Sequence, residues 1–158
     1  MSVCRVVAIG VLLGVSGCGA RELTASVTVD GVPVMVRTVG PSAQPGRDGI
    51  VVRLLDDRVL YADFPRAVPA TLGVAREADG SDGFRAGLAQ NGDPLVELCT
   101  SDAATEGSLT LRDTTRGNDG FLDHVEATLR VRFVGCDASY EGEPQSDLEF
   151  VIELPAAM

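Results

Sequence analysis

The chain has 158 residues, room for one ordinary domain, with 13 basic residues against 23 acidic ones and a formal net charge of −10. Every basic residue is an arginine, and those beyond the first few positions lie scattered from Arg21 to Arg132. Such a surface repels phosphate backbones and argues against nucleic acid as a partner. With no Trp, two Tyr and five Phe, the core must come mainly from Val, Leu, Ala and Ile, which favour strands where they alternate.

Three zones open the chain: a short head carrying Arg5, an apolar run from Val6 to Val15 broken only by Gly10 and Gly14, then Ser16-Gly17-Cys18. Ten residues rise about 15 Å as a helix, roughly half the hydrocarbon thickness of a bilayer. The run is therefore too short for an ordinary transmembrane span and reads as a secretory signal. Its end, "VSGC" at 15–18, resembles the lipobox of bacterial lipoproteins: an aliphatic residue, two small ones, and the cysteine that receives a diacylglyceryl group before cleavage. Val15 stands where that family most often has leucine. The resemblance implies a lipoprotein signal peptide over 1–17, a lipidated Cys18 with a short tether over 18–22, and the membrane as a partner through that anchor. Two other readings stay open: an N-terminal core strand or helix, and cleavage after Ala20 by the ordinary signal peptidase.

Cysteine arithmetic fits the lipoprotein reading. Cys4 leaves with the signal and Cys18 is consumed by lipid, so Cys99 and Cys136 remain, the number that one disulfide needs in an oxidising envelope. Closing a loop of about 37 residues, such a bond is worth roughly 3 to 4 kcal/mol on the chain-entropy estimate. Gly19 is not the aspartate that often marks inner-membrane retention in proteins of this kind, so the outer membrane is the expected location where a cell has two. Only four residues, Gly19 to Glu22, separate Cys18 from the first periodic residue, Leu23; extended, they span at most about 14 Å and hold the domain close to the bilayer.

A single β domain is expected over 23–158. "LTASVTVDGVPVMVRTV" alternates with period two on both sides of Asp30-Gly31, which predicts a two-residue hairpin. Gly40 to Gly49 read as a loop by their Gly, Pro and Ser content. "IVVRLL" and "VLYADF" predict a second hairpin joined at Asp56-Asp57-Arg58, with both faces partly covered; the Pro65–Gly73 stretch is irregular, since each proline removes a ladder donor. "FRAGLA", "LVELC" and "SLTLR" continue as short strands. In "HVEATLRVRF", Val125, Ala127, Leu129, Val131 and Phe133 face inward against His124, Glu126, Thr128, Arg130 and Arg132, a half-buried strand. "LEFVIEL" places Leu148, Phe150, Ile152 and Leu154 inward, and if the two strands pair, Arg130 and Arg132 meet Glu149 and Glu153 on the outer face. About nine short strands without a convincing helix predict an antiparallel β-sandwich, with a closed β-barrel as the alternative.

The run "SVTVDGVPVMV", followed later by "GSLTLRD" and "VEATLRVRF", resembles a loose group of small bacterial envelope lipoproteins of unknown function, in which a strand, an Asp-Gly or Asn-Gly turn and a second strand open the mature domain. Pro33 and Val34 stand where those proteins often carry an aromatic. The resemblance implies one all-β envelope domain and supplies no catalytic site.

Chemistry has few places to lodge. His124, the one histidine, has Asp123 before it and Glu126 on its own face, but no Gly-x-Ser-x-Gly elbow delivers a serine, so no catalytic residue is assigned and an enzyme is not expected; an unrecognised hydrolase is the residual alternative. Aligned on Gly120, "RDTTRGNDGFLDHVE" puts Asp119, Asp123 and Glu126 at the fifth, ninth and twelfth places of a calcium loop, with Asp113 and Asn118 as further oxygen donors. Thr115 and Gly117 occupy two usual ligand positions and the flanks are strands, so the competing reading is a hairpin loop with solvated acids. Three roles compete: a non-catalytic lipid-anchored module that binds a protein partner or serves envelope architecture, a small barrel holding an apolar or lipidic ligand, and a calcium-dependent adhesion module.

Overall fold

The computed structural model describes residues 23–66, 70–75, 82–91, 96–99, 104–136 and 146–155. Residues 1–22, with Cys4, Cys18 and the "VSGC" run, lie outside the described residues.

Eleven strands occur among the described residues: β1 (Ser26–Val29), β2 (Val32–Val34), β3 (Val36–Gln44), β4 (Arg47–Leu54), β5 (Arg58–Pro65), β6 (Thr71–Gly73), β7 (Arg85–Gln90), β8 (Val96–Cys99), β9 (Ala104–Arg116), β10 (Leu122–Cys136) and β11 (Ser146–Leu154). They form two antiparallel sheets, a six-stranded one ordered β2-β1-β11-β10-β9-β6 and a five-stranded one ordered β3-β4-β5-β7-β8. The sheets do not close into a barrel, and the fold is a β-sandwich. The expected nine short strands become eleven, two of them long: β9 has 13 residues and β10 has 15.

Period-two alternation explains the core directly. Val125, Ala127, Leu129, Val131 and Phe133 of β10 and Leu148, Phe150, Ile152 and Leu154 of β11 are all buried, and the register sets Leu129 opposite Ile152 and Val131 opposite Phe150. From the five-stranded sheet, Ile50, Val52 and Leu54 of β4, Leu60, Ala62 and Phe64 of β5, and Ala86 and Leu88 of β7 join the same cluster. Phe133 and Phe150 meet edge to face at 6.1 Å, and the Arg58 guanidinium lies 5.7 Å from the centre of the Phe150 ring. Arg58 thus reaches across from the opposite sheet to the face of a buried aromatic.

The hairpin at Asp30-Gly31 is present, with Val29 opposite Val32 and both turn residues at positive φ (50° and 77°), the mirror-image turn that matches strand twist. The expected loop over Gly40 to Gly49 is corrected. β3 runs through Gly40, Pro41 and Ser42 to Gln44, and β4 starts at Arg47. Pro41 is tolerated because β3 is an edge strand: the Val39 carbonyl turns outward to accept the Leu23 N–H at 2.9 Å, and Pro41, two residues on, lacks an N–H on that same outward side. Pro45-Gly46 then forms the turn itself, with glycine at φ 74°, the positive φ that a type II turn places after its proline.

At Met35 the chain leaves the six-stranded sheet and continues as β3 in the other, so one strand path links the two layers at that edge. The Met35 carbonyl accepts the Leu55 N–H at 3.2 Å. At the opposite edge the Phe84 N–H bonds the Gly73 carbonyl at 3.0 Å and its carbonyl takes the Ala75 N–H at 2.7 Å, tying the chain just after β6 to the chain just before β7.

The second predicted hairpin, β4 to β5, turns at Leu55-Asp56-Asp57, with Asp57 at φ 64°. The Arg58 N–H and guanidinium donate to the Asp56 carboxylate at 3.1 and 2.8 Å. Burial works against the Asp56 charge, but these hydrogen bonds outweigh it and hold the carboxyl below its ordinary range. A carboxyl lowered in the folded state contributes stability above its unfolded value, 3.8, and loses it as pH falls through the lower folded value. Asp56→Asn is therefore expected to cost a few tenths of a kcal/mol at pH 6, small because the side chain is half exposed, and less at pH 3. Urea midpoints at the two pH values check this; an equal cost at both would contradict it.

Candidate functional site

The outer face of the six-stranded sheet carries the polar half of the alternating strands. β9 and β10 pair along most of their length, with irregularities between Leu122 and His124 and between Glu126 and Ala127. The first of these makes Asp123 an extra residue, so that Leu122 and Val125 both face inward, while His124 and Glu126, two positions apart, share the outer face. Glu126 lies opposite Asp113, and His124 Nε2 is 3.4 Å from Glu126 Oε1 and 3.9 Å from Asp113 Oδ2. All three side chains are roughly half exposed, on an open sheet face.

The hairpin tip holds the rest of the calcium candidate. Gly120 (φ 84°) donates to the Gly117 carbonyl at 3.0 Å, Gly117 donates to the Phe121 carbonyl at 2.9 Å, and the Asp119 carboxylate accepts the Phe121 N–H at 3.1 Å. Asp119 thus serves the turn, the role expected of a side chain that mimics backbone. Asn118 is at the tip, Asp123 at the strand irregularity, and Asp113 and Glu126 lie further down the strands beside His124. The five candidates divide among three places, and among the described residues no group of three or more His, Cys, Asp or Glu is placed to hold a metal ion.

Further along the same face, a shallow hollow of about 340 Å³ is lined by Asp30, Glu106, Arg132, Asp147 and Glu149. Arg132 donates to Asp147 at 2.8 Å, and that hydrogen bond, with the carboxylates around it, holds the guanidinium above its ordinary range. The Asp30 carboxylate accepts the Glu149 N–H at 2.9 Å, tying the first hairpin to β11. The predicted cross-strand pairing of β10 with β11 is present, but its ions choose other partners. Arg132 pairs with Asp147, while Glu153 accepts the Thr128 hydroxyl at 2.6 Å and lies 3.8 Å from Arg112. Sequence parity placed Arg132 and Glu149 outward; only the register of β9 and the Asp30 turn brings Glu106 and Asp30 beside them.

Between the sheets lies a charge that sequence reasoning missed, because it fell in the expected loop. Asp48 of β4 is buried, and Arg116 at the end of β9 donates to its two carboxylate oxygens through Nε and Nη2, while Arg66, just past β5, lies 3.3 Å away. The hydrogen bond to Asp48 raises the Arg116 pKa above its ordinary value. Nearby, Arg47 pairs with Asp63 and donates to the Gly83 carbonyl at 2.8 Å. Buried charge is costly unless paired and hydrogen-bonded, and Asp48 meets that condition by joining the two layers.

Of the predicted cysteines, Cys99 closes β8 opposite Leu88 in the five-stranded sheet, and Cys136 closes β10 opposite Ser146 in the other. Val32, Met35 and Leu55 are exposed hydrophobics around the edge where β2 passes into β3.

The fold and its surface define an open antiparallel β-sandwich with one strongly charged sheet face. No protein family model matches the chain, and no curated protein or solved structure matches it.

Proposed function

We propose that this is a non-catalytic cell-envelope lipoprotein, anchored through Cys18 after loss of residues 1–17, whose β-sandwich meets a protein partner in a binding, assembly or surface-structural role. The observation that carries this reading is the N-terminal order of Arg5, a ten-residue apolar run and "VSGC", with four residues between Cys18 and Leu23, where the alternating pattern starts. The outer membrane is the proposed location where the cell has two. The sandwich supports the partner role by what it offers: a broad polar face holding Arg132 among Asp30, Glu106, Asp147 and Glu149, suited to a partner that presents complementary charge. A lipid-binding barrel fits less well, since the sheets stay open and the hollow on that face is lined by charged side chains. Calcium-dependent adhesion finds little support in a loop whose Asp119 already serves the turn. An oxidising envelope is also where Cys99 and Cys136 would be able to join.

Anchoring is tested at one atom. In a bacterial host, the wild-type chain is expected in the membrane fraction with Cys18 as its N-terminal residue, its mass increased by diacylglyceryl. Cys18→Ser should carry no diacylglyceryl mass and should keep residues 1–17, because the hydroxyl cannot form the thioether and cleavage follows lipidation. A wild-type N-terminus at Arg21 without lipid, or a Cys18→Ser chain still cleaved just before residue 18, would overturn the reading.

A further inference from the structure

We propose that Cys99 and Cys136 form a disulfide that staples the two sheets together where β8 and β10 converge. Stacked sheets ordinarily lie about 10 Å apart. β8 and β10 belong to opposite sheets, yet Cα atoms of the two strands come within 8 Å of each other. β8 has four residues, so each of its contacts lies within a few positions of Cys99. Connectivity draws the same ends together, because Ala104, five positions after Cys99, pairs with Phe133, three positions before Cys136.

A disulfide spans roughly 4.4 to 6.8 Å between Cα atoms, a separation that only such a convergence supplies between layers. The ladder between β10 and β11 loses its regular register between Phe133 and Cys136, and such an irregularity lets a strand end bend away from its sheet. Among the described residues β8 is an edge strand, hydrogen-bonded to β7 alone, and its register also slips beside Leu88, the partner of Cys99. A covalent tie there secures the less firmly paired edge of the five-stranded sheet.

The bond forms by exchange with a small-molecule or protein disulfide. One cysteine thiolate attacks the donor, forming a mixed disulfide and releasing one donor thiol. The second thiolate then displaces the other half. The two cysteines lose two protons and two electrons, and the donor gains them as two thiols. The donor's presence in the cell rests on the envelope reading; the bond's geometry does not.

The full-length chain, purified and incubated with oxidised glutathione, is digested without reduction and mapped by mass spectrometry. The expected result is one cross-linked pair of peptides carrying Cys99 and Cys136, two hydrogens lighter than the sum of the free peptides. Reduction should lower the melting temperature by about 10 °C. Cys99→Ser, Cys136→Ser and the double variant should each melt with the reduced wild type, the signature of one shared bond. Alkylatable thiols at both positions after oxidation, or a bond from either to Cys4 or Cys18, would overturn the proposal. Lipid on Cys18 is read from a separate N-terminal peptide, so failure of the anchor and failure of the staple are distinguishable.

Discussion

Phe150→Ala is expected to remove about 4 kcal/mol of unfolding free energy, and roughly 10 °C of melting temperature, because the ring has no exposure and nothing can refill its place without moving two sheets. Three losses combine. The buried hydrocarbon goes, the edge-to-face contact with Phe133 goes, and the Arg58 guanidinium loses the ring it lies over. Arg58 also donates to Asp56, so its position joins the β4–β5 turn to the core of the other sheet. Phe150→Leu keeps much of the volume and is expected to cost less than half as much. Chemical denaturation measures both, and a loss below about 1 kcal/mol for the alanine variant would mean that this contact does not belong to the packed core.

The second large effect is an asymmetry at Asp48. Arg116→Ala is expected to cost about 3 kcal/mol, because it leaves a buried carboxylate facing only Arg66 at 3.3 Å. Asp48→Asn should cost less, about 1 to 2 kcal/mol, since the arginines it releases are partly exposed and regain water. Combining the two changes should cost less than their sum, since the neutral amide no longer needs the Arg116 guanidinium. A double-mutant cycle by urea denaturation reads the coupling. Strict additivity would show that the pair does not hold the layers together.

Both effects turn on contacts between strands distant in sequence, and this divides what was legible beforehand from what was not. The inward rows of β10 and β11 were legible because side chains in a strand alternate faces; Val125 to Phe133 and Leu148 to Leu154 are buried as their parity requires. The Asp-Gly hairpin was legible because its backbone demands positive φ. The stretch from Gly40 to Gly49 was misread, since Pro and Gly usually mark loops. An edge strand tolerates Pro41, and whether a strand is at an edge depends on what pairs with it elsewhere in the chain. Asp48 shared that fate: a single charge in a polar stretch gives no sign that an arginine 68 positions later will close over it. The five calcium candidates lie apart along the strands for a related reason. Ligand spacing presumes the helix-flanked loop that brings its positions together, whereas two strands and a tight turn spread Asp113, Asn118, Asp119, Asp123 and Glu126 along a ladder.

Sequence by itself determined the β class, the first hairpin, the faces of the two strongest strands and the order of residues around Cys18, because each depends on neighbours a few positions apart. Tertiary structure alone decided that the sheets stay open, that eleven strands divide six and five, that Arg116 covers Asp48, and that β8 meets β10 across the layers. These depend on which distant strands share a sheet, and strand pairing carries no local signature beyond the alternation that all of them display.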